Sequence, residues 1–138
     1  EVSFWKVAMK PGRPLAFGTI GNAHFFGLPG NPVSVMVTFY QFVQPALLKM
    51  AGNRQHTPLL CSARTTAVLK KRPGRTEYQR GILSRGENGD LLVSPTRDQG
   101  SGILRSMSVA DCFIVLPVES GRVEPDTVVS VQPFHGLM

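Results

Sequence analysis

The first half of this chain carries almost no acid. Between Val2 and Thr76 there is no Asp or Glu, and carboxylates return only at Glu77. The same stretch holds Lys6, Lys10, Arg13, Lys49, Arg54, Arg64, Lys70, Lys71, Arg72 and Arg75, within an overall net charge of +6 over 138 residues. This half therefore has no carboxylate general base and no hard-metal ligand of the Asp/Glu kind. Cysteine is scarce too: Cys61 and Cys112 are far apart and form no CxxC pair, so neither a zinc site nor a redox pair is indicated. Both are expected to be buried small hydrophobes. His24, His56 and His135 show no ligand spacing, so a metal site built wholly from this chain is not expected. No apolar run approaches the ~20 residues that span a bilayer, and there is neither a signal-peptide pattern nor an initiator Met. The sequence reads as a soluble, cytoplasmic chain without membrane association, lacking the N-terminal part of a longer protein.

An acid-free basic half implies an anionic partner. Its focus is Gly27-Leu28-Pro29-Gly30-Asn31-Pro32-Val33-Ser34, where an apolar strand-like run gives way to a long apolar segment of helical period. Pro29-Gly30 suits the centre of a type II turn. Asn31 is a favoured N-cap, and Pro32 fits the first helical position, where its missing N–H costs nothing. Such a corner offers backbone donors to an anion, with Ser34 adding a hydroxyl. Most capped helices bind nothing, so the neighbours decide. Lys10-Pro11-Gly12-Arg13-Pro14 is a stiff loop that fixes where two cations point. Two cations, donors and a hydroxyl around one spot suit a tetrahedral oxyanion or phosphate.

The spacing predicts strands over Phe4–Met9, Leu15–Thr19 and Ala23–Leu28, with a turn at Gly21-Asn22 between the last two. A helix is predicted from Pro32 to Met50, kinked or divided by Pro45, with Gly52-Asn53 ending it. Because it is apolar nearly all round, it should lie between layers. From Leu59 the texture changes to short β-rich runs at Thr65–Leu69, Tyr78–Leu83, Leu91–Ser94, Cys112–Leu116 and Val128–Val131, separated by glycine turns. These indicate a small all-β barrel or sandwich with no helix-length segment. The expected organisation is an α/β remnant over residues 1–53, a linker over 54–58 and a β-barrel over 59–138.

Three stretches then resemble one family. They are Met9-Lys10-Pro11-Gly12-x-Pro14, Gly27-Leu28-Pro29-Gly30-Asn31-Pro32-Val33-Ser34, and Gly74-Arg75-x-x-Tyr78-x-Arg80. In this order, and up to the closing Val-x-Val-x-Pro-Phe segment, they resemble the molybdopterin molybdenumtransferases, bacterial MoeA and the gephyrin E domain. The resemblance implies insertion of molybdate into adenylylated molybdopterin with Mg²⁺, releasing AMP, by a multidomain homodimer that works with other molybdenum cofactor biosynthesis proteins. This chain would be the end of a MogA-like three-layer α/β domain followed by the C-terminal barrel. By motif, Lys10, Arg13 and Ser34 would surround molybdate or the pterin phosphate. Arg75 and Ser101 would close the site from the barrel side, and Gly27, Pro29, Gly30, Asn31 and Pro32 would shape the corner. Arg13 stands where lysine is common, so its forked donors would hold the anion differently. The family's acidic segment is absent, so the Mg²⁺ ligands are expected outside this chain, which alone should be inactive. The alternative is a non-catalytic, gephyrin-like scaffold. Nucleic-acid binding is disfavoured because no exposed aromatics stand among the basic loops.

Overall fold

The computed structural model describes residues 1–100 and 104–134. Its first layer is an antiparallel sheet of β1 (Val2–Lys6), β3 (Pro14–Ile20) and β4 (Ala23–Gly27), in the order β1-β3-β4. The turn at Gly21-Asn22 is tight, with Ile20 opposite Ala23 and Gly21 at φ 59°. The predicted single strand over Phe4–Met9 is instead two, because the chain folds back between them. The Val7 N–H donates to the Arg13 carbonyl (2.7 Å) and that of Met9 to the Val7 carbonyl (2.8 Å). The residues beyond form a separate short strand, β2 (Met9–Lys10), which pairs in parallel with a strand of the second half.

The long apolar segment starts as expected, with Pro32 in the first turn and Asn31 as N-cap. It is divided into α1 (Pro32–Thr38), a π-helical turn (Phe39–Val43) and α2 (Gln44–Met50). Pro45 has no N–H to return to the preceding turn, and a wider turn just before it is how a helix absorbs that loss. Two expectations need correcting. Gly30 is not among the glycines with positive φ, so the corner is not the type II turn that Pro29-Gly30 suggested. The helix is also only partly sandwiched. Val33 and Val37 are fully buried, but Leu47 and Met50 are 49% and 62% exposed.

The second half is a closed barrel of five strands: β5 (Cys61–Thr65), β6 (Thr76–Arg85), β7 (Leu91–Pro95), β8 (Cys112–Leu116) and β9 (Val128–Pro133). They run in the order β6-β7-β5-β9-β8, and a β6–β8 pairing closes the circle. All pairs are antiparallel except β5–β7. The strand expected over Thr65–Leu69 lies earlier: it ends at Thr65, and Leu69 contributes only an isolated bridge to Val123. A one-turn helix not anticipated in this half, α3 (Arg105–Val109), precedes β8.

β8 shows how the layers join. Its residues alternate between faces. Cys112, Ile114 and Leu116 point into the barrel with Ala63, Val93 and Val131. Phe113 points outward into a second core with Met9, Val33, Val37 and Met107. There the Phe113 ring lies 4.6 Å from that of Phe134 and 5.6 Å from that of Tyr40. The helix layer is thus seated on the barrel wall. Cys112 is fully buried, whereas Cys61 is only half-buried against the barrel core, short of the full burial expected of it.

Candidate functional site

A cavity of about 850 Å³ opens between the helix corner, the loop after β2 and the start of β6. Its walls come from three distant stretches. Lys10, Pro11, Gly12, Arg13 and Pro14 form one side, Pro29, Gly30, Asn31 and Ser34 a second, and Arg75, Gln99 and Gly100 the third. Lys10, Arg13, Ser34 and Arg75 are therefore brought together, with Pro29, Gly30 and Asn31 beside them. Gly27 and Pro32 lie outside the walls, at the end of β4 and the start of α1. Ser101 lies outside the described residues, although Gln99 and Gly100 just before it do line the cavity.

The first wall is held from three directions. The Val7 N–H bond to Arg13 ties the base of the loop, and the Thr76 N–H donates 2.9 Å to the Ala8 carbonyl from the barrel. Gly12 approaches α1 closely: a Cβ there would lie 2.9 Å from the Thr38 hydroxyl oxygen. Its φ of 97° also favours glycine. With Pro11 and Gly12 buried, the exposed Lys10 and Arg13 project from a fixed base.

The second wall is the helix start. Ser34 is 3% exposed, and its carbonyl accepts from the Thr38 hydroxyl one turn later. Asn31 makes no side-chain cap bond to α1. Seven residues of α1 supply only a small dipole, so the charge of the cavity comes from its side chains.

The third wall depends on a residue the sequence did not single out. Gln99 uses its side-chain amide as a substitute strand against β6. The Arg80 N–H donates to Gln99 Oε1 (2.8 Å), and Gln99 Nε2 donates to the Arg80 carbonyl (3.0 Å). The same Nε2 reaches the Thr96 carbonyl at 2.9 Å and hydroxyl at 2.8 Å. On this edge of β6, Lys10 is opposite Glu77 and Pro95 opposite Gly81, and Gln99 fills the place between them. The one signal in the sequence was the Gln99-Gly100-Ser101 run itself.

Behind this wall lies Arg80, 1% exposed. Its Nε donates to Ser106 Oγ (3.2 Å) and one terminal nitrogen donates to the Tyr78 carbonyl (2.9 Å). The other terminal nitrogen has no hydrogen-bond partner among the described residues. Burial pulls its pKa down to about 10, against an opposing effect of Glu77, so Arg80 is still a cation at neutral pH. Burial likewise raises the Tyr78 pKa.

Electrostatically the cavity is one-sided: three cations line it and no carboxylate does. The one salt bridge among the described residues, Arg122 to Glu124 at 2.8 Å, lies elsewhere in the chain. Nor do the described residues contain a cluster of three His, Cys, Asp or Glu able to hold a metal ion. This donor set suits an oxyanion and does not fit Mg²⁺, which takes oxygen ligands.

Comparison with known proteins bears on the whole length. Residues 62–134 match the family model described as "MoeA C-terminal region (domain IV)", and residues 1–49 match "Probable molybdopterin binding domain". The chain is 46% identical over 139 residues to the molybdopterin molybdenumtransferase of Haemophilus influenzae, covering 100% of this chain and 34% of that protein. It is 34% identical over 151 residues to gephyrin of Dictyostelium discoideum, covering 93% of this chain and 21% of that one. The crystal structure of the molybdopterin biosynthesis moeA protein from Pyrococcus horikoshii OT3 superimposes with a TM-score of 0.78 at 28% identity. That match covers 96% of this chain and 32% of that one. The chain thus spans about a third of the Haemophilus relative (34%).

Proposed function

This chain belongs to the MoeA family of molybdenum cofactor biosynthesis proteins, and on that premise we propose that its cavity is the anion-binding half of a molybdenum insertion site. The reaction is insertion of molybdate into adenylylated molybdopterin with release of AMP. The observation that supports this reading most is the convergence of Lys10, Arg13, Ser34 and Arg75 on one cavity whose walls carry no carboxylate.

Each residue has a distinct task. Arg13 and Arg75 present forked donors that match two oxygens of a tetrahedral oxyanion, and Lys10 supplies a compact charge. Ser34, held by the helix start, offers a hydroxyl that donates to an oxygen no guanidinium reaches. Gln99 holds the third wall in register, and Ser101 follows two positions later in sequence. Gly27, Pro29, Gly30, Asn31 and Pro32 shape the corner on which Ser34 sits. Together these groups bind and orient an oxyanion. Mg²⁺, if the whole protein uses it, takes its carboxylates from outside the described residues. On the same reading the whole protein acts as a cytoplasmic homodimer, and this chain alone does not complete the reaction.

Calorimetric titration with molybdate tests the proposal. Saturable binding that weakens on Arg13→Ala and on Arg75→Ala is expected. No saturable binding, or binding indifferent to both substitutions, overturns it.

A further inference from the structure

A second cavity, of about 410 Å³, shares Lys10 and Arg75 with the first. Its other walls are Lys70, Lys71, Arg72 and Glu77, with Pro73 between them. The charges here are unusually uncompensated. Glu77 is the one acid in the wall, and its carboxylate accepts from Gln79 Nε2 (3.2 Å) without forming a salt bridge. Lys71 is 7% exposed, and its ammonium donates to the carbonyls of Arg72 (2.7 Å) and Ser120 (3.0 Å). Neutral carbonyls satisfy two of its hydrogens but leave its charge unmatched. A nearly buried ammonium without a carboxylate partner is costly, and an anion drawn into the concavity offsets that cost. Lys70 and Arg72 are exposed and free of salt bridges among the described residues, so they can close on such an anion.

The geometry points to a second phosphoryl subsite in this cavity, so that a diphosphate group lies across the ridge formed by Lys10 and Arg75. The inference rests on the proposed function for its ligand class. Joining an adenylyl group to the phosphate of molybdopterin makes a phosphoanhydride, two linked oxyanion groups, and with molybdate in the first cavity one of them needs cationic partners beyond it. Two cavities with a shared cationic wall hold both. Lys10 and Arg75 on the shared wall face one group, beside the molybdate that Arg13 and Ser34 hold; Lys70, Lys71 and Arg72 face the other.

The test uses inorganic pyrophosphate, orthophosphate and molybdate as separate titrants of the whole chain at about 0.15 M salt, where remote charges are largely screened. The variants are the double substitution Lys70→Ala/Arg72→Ala and, as a control for net charge, Arg54→Ala, an exposed arginine remote from both cavities. Circular dichroism and melting curves verify that each is folded. The double variant is expected to lose at least tenfold in pyrophosphate affinity, with molybdate affinity within about twofold and Arg54→Ala without effect. Arg72→Lys in place of Arg72→Ala should recover part of the loss.

Pyrophosphate binding unchanged in the double variant overturns the subsite, as does an equal loss in Arg54→Ala. An equal loss of molybdate binding also overturns it, because the two cavities would then be one site. If pyrophosphate depends on Lys70 and Arg72 while molybdate does not bind, the subsite stands and the molybdate reading falls. Orthophosphate matching pyrophosphate in affinity and in its dependence on these residues overturns the bridging arrangement.

Discussion

Lys10 stands opposite Glu77 in a two-residue parallel ladder between β2 and β6, yet their side chains form no salt bridge. That ladder joins the loop of the first half to the barrel of the second. Arg75 lies two residues before Glu77 in the chain, so pairing at Glu77 brings Lys10 beside Arg75. The Glu77 carboxylate is engaged by Gln79, and both cations stay available to the cavities they share.

Arg75→Ala should weaken molybdate binding by about 1.5–3 kcal/mol, the usual worth of a charge-assisted hydrogen bond. Arg75 is exposed, so the melting temperature should not move. Titration calorimetry and a thermal melt on the same sample check both parts. Unchanged molybdate affinity removes Arg75 from the site.

Gln99→Leu leaves the Arg80 N–H without its acceptor, while the Arg80 carbonyl keeps the Thr96 N–H (2.9 Å). A cost of about 1–3 kcal/mol in stability follows from leaving that buried N–H unpaired. Molybdate affinity should fall as well, because Gln99 and Gly100 themselves line the cavity. Gln99→Glu keeps the acceptor for the Arg80 N–H and should recover part of the stability. Denaturant melts of the three proteins give the ranking, and equal stability of Leu and Gln at this position would refute it.

Gly12→Ala places a Cβ 2.9 Å from the Thr38 hydroxyl oxygen, at a φ of 97°. The expected loss is about 1–3 kcal/mol from backbone strain and crowding. Lys10 and Arg13 are displaced with the loop, so oxyanion binding should weaken in the fully folded variant too. Gly89→Ala shares the positive φ but meets nothing within 4 Å, and should cost stability without touching binding.

The Cys112 thiol is pushed up to about 12, first by burial and then by Asp111 nearby. The unfolded thiol ionises from near 9, the ordinary value, while the folded one keeps its proton. The folded state then binds more protons, and this group's contribution to stability falls as pH rises from about 9 toward 12. Urea melts at pH 8 and pH 10.5 should show a steeper decline in the native sequence than in Cys112→Ala. At pH 8 a thiol reagent should modify Cys61 before Cys112, and the reverse order contradicts the burial.

Limited proteolysis should cut within residues 54–58, the proposed linker, where none of the five residues from Arg54 to Pro58 is part of a helix or strand. The two products should nevertheless stay together on gel filtration. Phe113 packs with Met9, Val33 and Val37 in a single core, and a buried phenylalanine contributes on the order of 1.5–3 kcal/mol. Separation of the products would mean that this core does not join the halves.

Much of this protein was legible from local pattern. The strands at Cys112–Leu116 and Leu91–Pro95 follow β-rich runs bounded by turn residues, and Pro32 and Pro45 mark where helical segments begin. The lack of acid between Val2 and Thr76 was legible as a one-sided charge, and the loop and corner motifs contain residues that line the cavity. Local pattern misled where a distant partner decides the outcome. Thr65–Leu69 reads as a strand, but the chain leaves the β7 and β9 ladders after Thr65. Gly30 follows a proline as turn glycines do, yet it needs no positive φ once the corner is held by its neighbours.

The sequence by itself determined the charge of the site, the stiffness of its loop, the start of its helix and the alternation that lets β8 bury both faces. Propensity, capping and burial preference act within a few residues, so those properties can be read in order along the chain. Only the tertiary structure decided that β2 would pair in parallel with β6, that a glutamine side chain would fill the next place on that edge, and that Arg80 would be buried behind it. Each is a pairing between residues at least 19 positions apart or the enclosure that such pairings create. Hydrogen-bond partners of that kind are chosen by the closing of the barrel, and no short stretch of the chain contains the information.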